Sequence, residues 1–151
     1  MYNFSWQPPS GSKLTVTKKY GGITCGRVTA VGVDNYEAVL AKKHKLEAEN
    51  IIFRFDERPG QLLFVMGDFK NDTRTHHIHV VRYGSTEWEN YLNFRDYLNA
   101  NTAAAERYAA LKITLAEQYP NDRIAYTEGK SGLINALLDE ARRWRETGIL
   151  S

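Results

Sequence analysis

The sequence predicts an α+β domain: a small, mostly antiparallel sheet backed by helices, with a helical carboxy-terminal half. Three observations carry that reading. First, two runs rich in β-branched and aromatic residues, Ile51–Phe55 and Gln61–Met66, flank Arg58-Pro59-Gly60. Proline presets φ and glycine admits φ > 0, so the three residues form a turn and the two runs pair. Second, after a polar loop from Gly67 to Thr73, the stretch Arg74-Thr75-His76-His77-Ile78-His79-Val80-Val81-Arg82 returns as a third strand. Strands joined by short connections form an antiparallel meander. Third, the apolar spacing becomes helical beyond Tyr83 and stays so to the end.

Taken in order, Gln7-Pro8-Pro9-Ser10-Gly11-Ser12 suits neither helix nor central strand, and Leu14-Thr15-Val16-Thr17 suits a short strand ended by Gly21-Gly22. Residues 1–26 are expected to be a divergent or poorly ordered segment, and residues 27–151 the folded domain. Val28, Ala30, Val31 and Val33 read as a buried strand. Asp34 and Glu37 have the spacing of a capping box, with Asp34 as cap. One helix is expected from Asn35 to about Ala48, with Tyr36, Val39, Leu40 and Leu46 inward and Lys42-Lys43-His44-Lys45 solvated. A helix of that length suits a crossover connection.

Beyond the histidine strand, Thr86 and Glu89 suggest a second capping box, and Trp88, Tyr91, Leu92, Phe94 and Leu98 share one helical face. Asn101 or Thr102 caps the next helix, whose stripe is Tyr108, Leu111, Leu115 and Tyr119 and which Pro120 stops. Asn121 or Asp122 starts the last helix, with Leu133, Ile134, Leu137, Leu138, Ala141 and Trp144 inward. Gly129 and Gly132 are expected to bend or split it, and Gly148 to end it.

Composition excludes several functions. With 151 residues and 42% hydrophobic content the chain suits one core. A net charge of +2 gives no electrostatic case for nucleic acid or an anionic membrane. The single cysteine, Cys25, makes no intrachain disulfide and no cysteine-based zinc cluster. No apolar run approaches the ~20 residues that span a bilayer. Met1–Pro9 lacks a secretory pattern, so a soluble cytoplasmic protein is expected. No nucleophile elbow, P-loop or dinucleotide fingerprint is present.

Three of the four histidines lie within His76–His79. Side chains alternate along a strand, so His77 and His79 share one face and His76 and Ile78 the other. The plain reading of such a pair is polar residues on a half-exposed face. The sharper one is a seat for an anion, with Arg74 or Arg82 beside the imidazoles as further donors. A bare His-x-His is a weak signal for a transition metal, so no metal ligand is assigned. Arg95 falls on the apolar side of its helix, where an ion pair is the ordinary explanation, and Lys130 follows Tyr126 by one turn.

From Val33 to about Arg145 the chain resembles the GrpB family, whose members have a nucleotidyltransferase-like fold. The histidine stretch carries the resemblance, followed in order by Trp88 with Phe94-Arg95-Asp96-Tyr97-Leu98, then Tyr108-Ala109-Ala110-Leu111-Lys112, then Ala125-Tyr126-Thr127-Glu128 with Lys130. Some family members are joined to dephospho-CoA kinase, which hints at a nucleotide-related setting. The resemblance implies a ligand pocket beside the histidine strand, with Arg74, His77, His79, Arg95 and Lys130 as its candidate ligand-binding residues and a phosphate-containing small molecule as the partner. It assigns no cofactor and no catalytic residue. Family members carry a Gly-Ser turn followed by a Lys-Pro-x-x-Asp strand, which hold phosphates and a divalent metal. The corresponding stretch here, Gly22 to Val33, has no carboxylate. The expectation is therefore an anion-binding domain without metal-dependent nucleotidyl transfer. The alternatives are an active transferase with carboxylates from Asp34, Asp56 or Asp68, and a non-enzymatic domain that binds a protein.

Overall fold

The computed structural model describes residues 3–5, 13–17, 27–54, 60–68 and 73–148. The fold is α+β. Strands β1 (Asn3–Ser5), β2 (Lys13–Thr17), β3 (Arg27–Val33), β4 (Ile52–Arg54), β5 (Gln61–Asp68) and β6 (Thr73–Arg82) form one sheet in the order β1-β2-β3-β6-β5-β4. The expected meander β4-β5-β6 is antiparallel throughout, as are β1-β2 and β2-β3. Among the described residues, the one parallel pairing joins β3 to β6, from Arg27 opposite His76 to Val33 opposite Arg82. The two strands of the meander hairpin run longer than expected, to Asp68 and from Thr73, with a register shift at Met66/Gly67. Phe55 and the Arg58-Pro59 half of the turn lie outside the described residues, and so does Asp56; Gly60 takes φ +85°, the left-handed region that suits glycine.

Between β3 and β4 the structure departs from the sequence expectation twice. The helix cap is Asn35, not Asp34: its Oδ1 accepts from Glu37 N at 2.7 Å and from Ala38 N at 3.4 Å, while Asp34 stays exposed. The backbone of Asn35 is extended there, at φ −147° and ψ 122°, as a capping residue requires. The expected single helix is two, α1 (Tyr36–Leu40) and α2 (Lys43–Ala48). At the junction Lys42 N donates to Val39 O at 3.0 Å, an i−3 bond that tightens one turn. The run Lys42-Lys43-His44-Lys45 supplies no apolar side chain to hold that turn against the sheet, and short helices depend on such packing. Helix α2 then closes with Asn50 at φ +58°; Asn50 N donates to Glu47 O at 3.0 Å and Ile51 N to Leu46 O at 2.9 Å. That is a Schellman closure, with asparagine at the left-handed position.

Contacts divide the chain into two units, Met1–Glu89 and Asn90–Ser151. In the first, Leu62, Phe64 and Val80 form a core against which Val33, Tyr36, Val39, Leu46, Ile51, Phe53 and Ile78 pack. Tyr36 fastens α1 to the sheet: its hydroxyl donates to Gly60 O at 2.6 Å and accepts from Arg82 N at 2.9 Å.

Helix α3 (Thr86–Ala100) starts in the first unit and continues into the second. Its cap lies one residue before the expected Thr86: Ser85 Oγ accepts from Trp88 N at 3.2 Å. Helix α4 (Thr102–Gln118) is capped by Asn101, and α5 (Arg123–Thr147) by Asp122, each side-chain oxygen accepting an amide three residues on at 3.0 Å. Gly148 ends α5 at φ +71°. Leu137, Ala141 and Leu115 are buried as expected, but Tyr119 is 40% exposed.

Helix α5 is not split at its glycines; it runs as one helix of 25 residues. Gly129 has a packing reason. A Cβ there would lie 2.6 Å from Leu115 Cδ2 and 3.1 Å from Leu115 Cδ1, so the glycine lets α4 and α5 approach. At Gly132 a Cβ would meet nothing within 4 Å. The two glycines should therefore answer alanine with opposite signs. Gly132→Ala is expected to stabilise by up to about 1 kcal/mol through helix propensity. Gly129→Ala is expected to cost about 1–2 kcal/mol, because displacing a buried leucine outweighs that gain. Urea denaturation of the two variants side by side checks both signs.

Candidate functional site

The site is built on β6. Val28 and Ala30 of β3 and Val65 and Leu63 of β5 are the register partners of His77 and His79, so all six share one face of the sheet. The face is dry at its base: Ala30, Val65 and Val81 are at most 1% exposed. His77 and His79 are half-buried, and the Nδ1 edge of His79 is shielded from solvent. Gly32, opposite Val81, leaves this row without a side chain. A Cβ there would meet Tyr83 Cδ2 at 3.0 Å and Trp88 Cζ3 at 3.3 Å, so the glycine admits the two rings, which lie 5.6 Å apart, over the end of the row. Two imidazoles two residues apart on one strand thus sit on a mostly apolar floor, bounded at one end by aromatic rings. Imidazole N–H groups in such surroundings are strong donors to an anion, since low polarity strengthens electrostatic hydrogen bonds.

The other candidates are placed elsewhere. His76 is on the opposite face, where its Nδ1 lies 2.9 Å from Thr75 Oγ1. Arg82, expected as a possible neighbour of the imidazoles, is also on that opposite face; alternation groups it with His76, Ile78 and Val80. It pairs with Val33, and its guanidinium lies 6.0 Å from the Tyr36 ring centroid. Arg74 is paired through its backbone with Gly67 beside the register shift, and its side chain lies outside the described residues. So does the Asp68 side chain.

Arg95 and Lys130 belong to the second unit. Arg95 Nε donates to Asp96 Oδ1 at 2.5 Å, and Asp96 Oδ2 accepts from Arg145 Nη2 at 2.8 Å. Arg95 thus has the carboxylate partner that its position on the apolar side of α3 suggested. The Lys130 ammonium lies 4.1 Å from the Tyr126 ring centroid, a cation–π contact across one helical turn.

Sequence reasoning missed two residues. Lys112 on α4 is only 8% exposed, and its ammonium lies 5.0 Å from the Tyr108 ring centroid. Its spacing from Tyr108 and Leu115 puts it inside the apolar stripe, which was the available signal. Gly32 was missed because only the register of β3 against β6 reveals why a side chain is unwelcome there. Among the described residues, no group of three or more His, Cys, Asp or Glu is placed to hold a metal ion.

Comparisons with known proteins agree with the resemblance. The family model described as GrpB protein matches residues 29–140. Over 73 residues the chain is 45% identical to the glutamate-rich protein GrpB of Alkalihalophilus pseudofirmus, covering 48% of this chain and 42% of that protein. Over 87 residues it is 41% identical to the UPF0157 protein YqkA of Bacillus subtilis, covering 58% of this chain and 24% of that protein. The chain thus matches less than half the length of either relative. The crystal structure of GrpB from Enterococcus faecalis superposes with a TM-score of 0.69 at 26% identity, covering 80% of this chain and 72% of that one. With the model spanning most of the chain and a solved GrpB sharing its fold, this chain belongs to the GrpB family.

Proposed function

We propose that this GrpB domain binds a phosphorylated or otherwise anionic small molecule on the His77/His79 face and does not carry out metal-dependent nucleotidyl transfer. The observation that carries the reading is the make-up of β3. This strand lies directly beside the histidine strand, and on the shared face it contributes Val28, Ala30 and Gly32. In a nucleotidyltransferase-like fold, carboxylates on such a strand hold the divalent cation that bridges the phosphates. Here His77 and His79 are the polar groups that stand opposite Val28 and Ala30, with Gln61 opposite Val81 farther along the same face. Imidazoles donate hydrogen bonds to phosphate oxygens but do not replace oxygen ligands around a hard cation. A nucleotidyltransferase-like ancestry and a cytoplasmic setting are parts of the same proposal. No described helix is long and apolar enough to cross a membrane.

The test is isothermal titration of ATP in EDTA and again in magnesium, followed by a pyrophosphate-release assay. Binding of the same strength in both buffers, with release no faster than without protein, is expected. Magnesium-dependent pyrophosphate release that is lost in Asp34→Asn would show that an exposed carboxylate, not a bystander, completes an intact site.

A further inference from the structure

The histidine face ends at an aromatic ring that is open to solvent. Tyr83 follows β6 directly, and its N–H donates to Val33 O at 2.9 Å, so bonding to β3 continues one residue past Arg82. Gly32 leaves room for two rings beside it: a Cβ there would lie 3.0 Å from Tyr83 Cδ2 and 3.3 Å from Trp88 Cζ3. The rings are 5.6 Å apart and tilted by 41°. They differ in exposure, since Trp88 is 6% exposed and Tyr83 57%. We propose that the anion held by His77 and His79 is a nucleotide, and that Tyr83 is the residue on which its base stacks. This rests on the anion reading of the histidine face and adds the class of the ligand's organic part.

The first argument is position. Gly32 continues the row of Val28 and Ala30 on β3, so the ring beside it lies on the histidine side of the sheet. Gly32 also stands opposite Val81, two residues on from His79. The ring is therefore about 7 Å from His79 along the strand and about 5 Å across to β3. A sugar and its phosphoester arm span such a separation between a phosphate and a base.

The second argument is support. Gly84, at φ +72°, turns the chain immediately after Tyr83, and Ser85 N donates to Arg82 O at 3.1 Å. Trp88, in the first turn of α3, stands against the Tyr83 ring. A ring already held in place loses little freedom when a ligand settles on it. The third argument is chemistry. Every base has a π-face, and stacking on an aromatic side chain requires no particular hydrogen-bonding edge. A phenol combines that surface with a polar tip that suits an open position.

The experiment titrates the full chain in EDTA with two probes, ATP and inorganic tripolyphosphate. Tyr83→Ala and Tyr83→Leu should each weaken ATP binding at least about tenfold, as expected for the loss of one base–aromatic stack. Neither should change the affinity for tripolyphosphate, which also shows that the variants are folded. Tyr83→Phe keeps the ring and should bind ATP as tightly as the unaltered chain. In that unaltered chain, the Tyr83 ring resonances, assigned by their absence from Tyr83→Phe, should shift with ATP and not with tripolyphosphate. Unchanged ATP affinity in a folded Tyr83→Ala overturns the proposal, and so does equal weakening of both probes. Tyr83 ring resonances that ignore ATP overturn it without recourse to a variant's affinity. These results leave the anion reading standing as long as tripolyphosphate still binds and His77→Ala/His79→Ala weakens it. Unchanged tripolyphosphate binding in the folded histidine double variant, or no binding of either probe, overturns both.

Discussion

Phe64→Ala is expected to lower the stability of the first unit by about 3–5 kcal/mol, the usual range for deleting a buried phenyl group. Phe64 is 1% exposed and stands at the centre of the cluster with Leu62 and Val80. The cost should fall in the upper half of that range. The substitution opens new space beside a half-open apolar pocket of about 190 Å³, and the penalty grows with the volume left unfilled. The rigid floor of β5 and β6 leaves only α1 and α2 to settle inward. Urea denaturation followed by circular dichroism measures the loss. A cost below about 1.5 kcal/mol would mean that the two helices collapse freely onto the sheet.

Tyr97→Ala is expected to be as damaging in the second unit, at about 4 kcal/mol. Tyr97 is fully buried, and its ring lies 5.8 Å from that of Trp144. Its hydroxyl accepts from Asn101 Nδ2 at 3.0 Å and donates to Glu140 Oε2 at 3.0 Å. Asn101 is also the cap of α4, and Glu140 accepts from Arg107 Nη1 at 3.2 Å. One phenol thereby links the end of α3, the start of α4 and the middle of α5. Tyr97→Phe separates packing from hydrogen bonding and should cost about 1–2 kcal/mol on its own. A double-mutant cycle with Glu140→Gln should show coupling between the two residues, since they share one hydrogen bond. Urea denaturation followed by circular dichroism measures each cost.

The parts of this fold legible in the sequence are those written in local chemistry. The meander was readable because Gly60 marks a turn between two β-branched and aromatic runs. The α4 and α5 boundaries were readable because Asn101 and Asp122 are capping residues and Gly148 is a terminator. The parts that were not legible depend on neighbours distant in sequence. Asp34 and Asn35 are both good caps, and the choice fell to the one whose backbone lies extended at the end of β3. Gly129 reads as a helix breaker until Leu115 of α4 is placed against it. The parallel pairing of β3 with β6 joins segments more than forty residues apart, and no local pattern announces it.

The same division holds at the site. Strand alternation alone put His77 and His79 on one face. It also places Arg82 on the other, so the arginine that flanks the imidazoles in sequence does not flank them in space. Arg95 was drawn from the family resemblance and from its place on the apolar side of α3, and its neighbour Asp96 accounts for that place. Lys112 was hidden by its own type, because a lysine in a helix is read as solvated unless the packing around it is known.

The most direct test of the anion-site proposal is the affinity of His77→Ala/His79→Ala for ATP in EDTA, measured by isothermal titration beside the unaltered protein. Circular dichroism establishes that the variant is folded. A hydrogen bond to a charged group contributes about 1.5–3 kcal/mol. Loss of even one should weaken binding at least about tenfold, and that loss is the expected result. A folded double variant that binds ATP as tightly as the unaltered chain would contradict the assignment of the histidine face as the anion site.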